Sequence, residues 1–168
     1  MNVDYKLSLI SVAAALVLLG GCASAPTPAR APASIDALDP VSRLSVAQAN
    51  DITLYAVGLV GTPYRYGGNT PATGFDCSGL IGHVYQSRAG VLVPRTVSRL
   101  QHWGQSVPGE YLRPGDLVLF GRRDLATHAG IYVGEGRFVH APSSGGEVRL
   151  DRLDSKYWSS QPVAFRRP

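Results

Sequence analysis

Hydrophobic period changes once along this chain, and that change restricts the fold more than any other feature. In the first half the apolar residues recur at helical spacing; in the second they come in short runs bounded by Gly and Pro. Helices first and strands after predict an α+β domain, with N-terminal helices packed on a small antiparallel β-sheet. The first helix is expected from an N-cap at Ser45 to about Val60, burying Val46, Ala49, Ile52, Ala56, Leu59 and Val60, until Gly61-Thr62-Pro63 stops it. Tyr64 to Gly74 reads as a Gly-rich loop. A second helix begins at Asp76 or Cys77, runs to about Arg88 and buries Leu80, Ile81, Val84 and Tyr85. Strands are expected at Leu117–Phe120, His128–Val133, Arg137–Ala141, Val148–Leu150 and Val163–Arg166, with Gly121 to Thr127 a flexible stretch. A length of 168 residues suits one such domain plus a tail, and 19 Gly with 12 Pro argue against a helical bundle.

Ahead of that domain, Leu7 to Leu19 form an apolar run behind Lys6. Its length suits a signal-peptide core and is too short to span a bilayer comfortably. The run ends in Leu19-Gly20-Gly21-Cys22, and small residues before a Cys resemble a bacterial lipoprotein signal. That resemblance implies a signal peptide over 1–21 and Cys22 as the acylated mature N-terminus, which supplies membrane affinity. Ala23, in place of an inner-membrane Asp, points to the outer membrane, facing the periplasm. The alternative is ordinary secretion with Cys22 a bystander. Residues 22–44, rich in Ala, Pro and Ser, read as a flexible tether, leaving 45–168 as the folded domain. The net charge of +4 is spread along the chain, and nucleic acid is not an expected partner.

With Cys22 acylated, Cys77 is a lone thiol in an oxidising compartment. At a helix start it meets unpaired backbone N–H groups and the positive end of the helix dipole, which predicts a lowered pKa. A small buried residue is the plainer alternative. The histidines decide. If Gly134-Glu135-Gly136 is a three-residue loop, Val133 faces Arg137 and Gly130 faces His140. His128 and His140 then share a sheet face within hydrogen-bond reach, whereas a two-residue loop would separate them. That geometry gives a general base, His128, and an orienting partner, His140, for the Cys77 nucleophile. His83 is expected to face away from the thiol and His102 to lie on the surface. A zinc site on Cys77, His128 and His140 is the metal alternative, but no close ligand pair exists and zinc would quench the thiolate; no metal or other cofactor is expected.

Several segments together resemble the NlpC-type cell-wall cysteine peptidases, a family with a papain-like fold. They are Pro63-Tyr64-Arg65-Tyr66-Gly67-Gly68, Phe75-Asp76-Cys77-Ser78-Gly79-Leu80, Pro94-Arg95-Thr96, Leu112-Arg113-Pro114-Gly115-Asp116, His128-Ala129-Gly130-Ile131-Tyr132-Val133-Gly134 and Phe138-Val139-His140-Ala141. The resemblance covers Ser45 to Phe165 and implies Cys77 as nucleophile, His128 as base and His140 as third polar residue. It implies Tyr64 beside the oxyanion, and Asp76 and Ser78 in the substrate subsite, although Asp76 could equally cap the helix. Gly67 and Gly68 would keep the cleft wall low, and Arg95 would hold a substrate carboxylate or simply form an ion pair. The implied activity is a lipid-anchored peptidoglycan endopeptidase cutting diaminopimelate-containing stem-peptide or crossbridge amides. A wall-binding lipoprotein without turnover is the alternative. Where relatives often carry Gln, this chain has Leu100.

Overall fold

The computed structural model describes residues 42–122 and 125–168. The expected signal peptide, Cys22 and nearly all of the tether lie outside the described residues. Helix α1 (Val46–Gly58) opens with a capping box: the Ser45 hydroxyl accepts the Gln48 N–H at 3.2 Å, and Gln48 Oε1 accepts the Ser45 N–H at 2.9 Å. Its buried stripe is narrower than expected. Ile52 and Ala56 are buried, but Val46 in the first turn is 78% exposed, and Val60 lies past the helix end. Helix α2 (Cys77–Ala89) is capped by Asp76 and stopped by Gly90 at φ 67°, and it buries all four residues expected of it. A four-residue helix, α3 (Val97–Leu100), follows, with Leu100 fully buried.

Strands β1 (Asn69–Thr70) and β2 (Gly74–Phe75) form a small antiparallel pair inside the segment expected to be a loop. The main sheet contains β3 (Gln105–Ser106), β4 (Leu117–Arg122), β5 (Leu125–Gly134), β6 (Arg137–His140), β7 (Arg149–Arg152) and β8 (Val163–Arg167). Their order is β3-β8-β4-β5-β6-β7, every pair antiparallel. The stretch expected to be flexible is largely ladder: after a bulge at Phe120/Gly121, Gly121 pairs with Ala126 and Arg122 with Leu125. Alternation splits the sheet into two faces. Leu117, Leu119, Ala129, Ile131 and Val139 join Ile52, Ala56 and the buried residues of α2 in the main core. Val118, Phe120 and Phe138 form a second cluster on the other face, with Trp158 and Phe165 against it. The turn into β4 is fixed to β8 by a buried ion pair, Arg167 Nε and Nη2 donating to the two oxygens of Asp116 at 3.0 and 2.9 Å.

The β5–β6 connection departs from expectation in an instructive way. The turn has two residues, Glu135 and Gly136, both at positive φ (52° and 69°), and Gly134, not Val133, faces Arg137. A turn of that length alone would put the histidines on opposite faces. An irregularity between Tyr132 and Gly134 absorbs one residue, and Gly130 faces His140 as expected.

Candidate active site

The start of α2 is held by one carboxylate. Asp76 Oδ1 accepts the Gly79 N–H at 2.7 Å, and Oδ2 accepts the Gly67 N–H at 2.9 Å. Arg95 closes on it as a fork, Nη1 to Oδ1 at 2.7 Å and Nη2 to Oδ2 at 2.9 Å. The same guanidinium donates to Ser78 Oγ at 2.6 Å, while Ser78 donates to the Arg95 carbonyl at 2.7 Å. Burial would raise the Asp76 pKa, but Arg95 and the Gly79 N–H hold it below its ordinary value, so it is ionised. Capping and an ion pair are thus the observed roles of Asp76 and Arg95. The glycines serve backbone packing: a Cβ on Gly68 would stand 2.3 Å from the Gly74 carbonyl oxygen, and one on Gly79 2.0 Å from that of Gly68.

Cys77, the first residue of α2, is partly buried. Burial pushes its thiol up from the ordinary value, and the Asp76 carboxylate pushes in the same direction. The backbone N–H groups of Ser78, Ala129 and Cys77 itself lie against the sulfur and oppose this without overcoming it. The expected lowering of the pKa is therefore reversed, because desolvation outweighs the helix terminus. Ala129 is the neighbour of His128, so the N-terminus of α2 and strand β5 meet at the sulfur. Tyr64 faces both groups: burial, then the charges of Cys77 and Asp76, raise its pKa and keep its phenol a donor.

The two histidines are joined. His128 Nε2 lies 2.8 Å from His140 Nδ1, and His140 Nε2 lies 3.1 Å from Asp151 Oδ2. Trp158 Nε1 donates to that same oxygen at 2.9 Å. Burial, then the Asp151 charge and hydrogen bond acting against it, leave His140 with a pKa lowered to about 4. Burial and its neighbour His140 lower His128 to about 3. An aromatic wall does the desolvating, with Trp158 stacked on His128 at 5.6 Å and edge-on to His140 at 5.1 Å. Both rings are therefore neutral near pH 7, and the hydrogen bonds fix their tautomers. Ionised Asp151 accepts from His140 Nε2–H, so His140 Nδ1 accepts from His128 Nε2–H, and His128 Nδ1 is left as a free lone pair. Both nitrogens of His140 are used, so the zinc alternative loses one of its ligands.

Neither Asp151 nor Trp158 was expected from sequence. Asp151 sits opposite Phe138 on β7, diagonal to His140, a placement that depends on how the chain between Ala141 and Val148 runs. The remaining histidines agree with expectation: His83 pairs with the Tyr55 hydroxyl at 3.0 Å, and His102 is exposed. Leu100 packs in the core, and the neighbouring Gln101 makes a polar contact there, accepting the Ala126 N–H at 2.8 Å.

A helix-terminal thiol, and on the strand whose Ala129 N–H reaches its sulfur a neutral imidazole with a free lone pair, are the groups that nucleophilic acyl chemistry uses. The model of the NlpC/P60 family matches residues 61–167, and the chain belongs to that family. Among curated relatives, the murein DD-endopeptidase MepH of Escherichia coli is 41% identical over 112 residues, 64% of this chain and 41% of that protein. The gamma-DL-glutamyl hydrolase of Bacillus subtilis is 40% identical over 110 residues, 64% of this chain and 26% of that protein. The chain thus spans under half the length of these relatives. The solved NlpC/p60 domain of the peptidoglycan hydrolase SagA superposes with a TM-score of 0.61 at 29% identity, over 69% of this chain and 96% of that one. RipD of Mycobacterium tuberculosis, described as a non-catalytic NlpC/p60 protein adapted to peptidoglycan binding, shares the fold at 21% identity, over 71% of this chain and 96% of that one, with a TM-score of 0.61.

Proposed function

We propose that this chain is a peptidoglycan endopeptidase, anchored through an acylated Cys22 to the outer membrane and facing the periplasm, that hydrolyses diaminopimelate-containing stem-peptide or crossbridge amides. The observation that carries the catalytic reading is the relay from Asp151 through His140 to His128, which leaves His128 Nδ1 as a free lone pair on the residue next to Ala129, whose N–H lies against the Cys77 sulfur. The resting pair is a neutral thiol and a neutral imidazole. His128 Nδ1 takes the Cys77 proton as the sulfur attacks the amide carbon. The Tyr64 phenol and the Cys77 N–H donate to the oxygen as it gains charge. His128 then gives the proton to the departing amine, and the reverse exchange with water frees the acyl group from sulfur. The name murein DD-endopeptidase, carried by one relative, supports hydrolysis of a murein peptide bond, and the name gamma-DL-glutamyl hydrolase, carried by another, supports hydrolysis of a γ-glutamyl amide. The second reading, a binding module such as RipD is described to be, is disfavoured by the helix-terminal thiol and the Asp151–His140–His128 relay, which binding alone does not need.

The test uses the full-length chain in mild detergent, incubated with crosslinked diaminopimelate-type muropeptides and followed by mass spectrometry. The expected result is loss of dimers, or cut stem peptides, with the parent and none with Cys77→Ala. No product from either protein, or equal product from both, would overturn the reading. Mass spectrometry of the digested protein should show an N-terminal peptide beginning at acylated Cys22; an unmodified Cys22 sinks the anchor.

A further inference from the structure

Two cavities meet on the Trp158 side of the histidines. One, of about 230 Å³, has His128 in its wall beside Phe120, Ser144, Tyr157 and Trp158. The other, of about 590 Å³, reaches from His140 to Arg149, Arg152 and Lys156. They share Pro142, Ser144, Tyr157 and Trp158, so they adjoin along these four residues and together make a trough with His128 at one end and the cationic residues at the other. The charge there is unbalanced. Arg149 is engaged by Asp151 and Arg152 by Asp154, whereas Lys156 has no ion-pair partner among the described residues. Tyr157, 64% exposed, offers an apolar ring on the way.

The direction of the chemistry decides which part of a substrate lies in the trough. The acyl half stays on Cys77 while the amine half leaves with a proton from His128, so the amine half lies along the wall that contains His128. We propose that this trough holds the leaving half of the substrate, with an aliphatic stem across Tyr157 and Trp158 and a carboxylate at Lys156. Diaminopimelate has that chemistry: it is a short alkyl chain with a carboxyl at each end. The assignment rests on the endopeptidase reading for its direction, not for the charge and shape of the site.

Binding to the full-length Cys77→Ala protein in detergent, measured by calorimetry, separates the two. The probes are a diaminopimelate-containing tetrapeptide and the same peptide with its diaminopimelate carboxyl converted to carboxamide. The acid is expected to bind roughly fivefold more tightly than the amide. Lys156→Glu should abolish that preference and Lys156→Arg should keep it. Equal binding of acid and amide, no binding of either, or a preference untouched by Lys156→Glu would overturn the trough. In the cleaving enzyme, Lys156→Glu should raise KM severalfold on the acid substrate with kcat unchanged. Should the acid bind through Lys156 while the parent cuts no peptide, the site stands and the endopeptidase reading falls.

Discussion

Three donors converge on Asp151: His140 Nε2 and Trp158 Nε1 on one oxygen, and Arg149 Nη2 on the other at 3.2 Å. Burial alone would raise its pKa; the Trp158 bond, followed by His140 and Arg149, keeps it below the ordinary value. It is a positioning residue, because it acts on His128 only through His140. In Asp151→Asn the amide can turn its NH₂ toward His140, which reverses both tautomers and leaves His128 Nδ1 protonated. The expected loss is between about 10²- and 10⁴-fold in kcat with little change in KM, accompanied by reversed imidazole ¹⁵N shifts. An unchanged tautomer with a lowered kcat would assign Asp151 a merely structural role. The same burial fixes the acid side of the profile. A base whose pKa lies near 3 stays unprotonated far below neutrality, so kcat/KM should hold from pH 7 to pH 5 on the acid side. An inflection near 6.5 would show that His128 behaves as an ordinary imidazole.

Helix α2 is set against the loop before it by contact between backbones, and glycine at its third position is what permits this. A Cβ on Gly79 would lie 2.0 Å from the Gly68 carbonyl oxygen, and neither partner is a flexible side chain that could yield. Gly82, in the same helix, has nothing within 4 Å of the corresponding point. Gly79→Ala should therefore cost about 1–3 kcal/mol, whereas Gly82→Ala should gain about 0.4–1 kcal/mol, both read from urea denaturation. Equal effects at the two positions would refute the contact. The sequence revealed the two long helices, their N-caps and the shared face of His128 and His140, since each depends on spacing within one or two adjacent elements; it did not reveal the short helix Val97–Leu100. It did not reveal how that face is reached, because a two-residue turn plus an irregularity at Val133 gives the register that a three-residue loop was expected to give. Asp151 and Trp158 come from later strand and loop positions with no fixed spacing to His140. The thiol shows the same limit: a helix terminus is visible in sequence, but the burial that outweighs it comes from packing of distant segments.

Across the whole molecule, the buried imidazole pair sets how folding responds to acid. His140 is fully buried, and both rings have folded pKa values, about 4 and about 3, below that of an exposed histidine. In the unfolded chain each returns to about 6.5, so between there and the folded values the unfolded state binds protons that the folded state does not. Stability is therefore complete above about pH 6.5 and declines as pH falls, at a slope approaching about 1.4 kcal/mol per pH unit for each histidine. The carboxylates act in a different window. Asp76 and Asp151 are lowered in the folded state, so their contribution is present above the ordinary carboxylate range and is lost only below it. Urea unfolding at pH 7, 6 and 5 should then show a decline that belongs to the histidines. A His128→Gln/His140→Asn double variant, starting from whatever stability it has at pH 7, should lose most of that dependence. A wild-type curve flat from pH 7 to pH 5 would mean that both rings take up protons within the folded chain, and that the neutral relay behind Cys77 does not persist in mild acid.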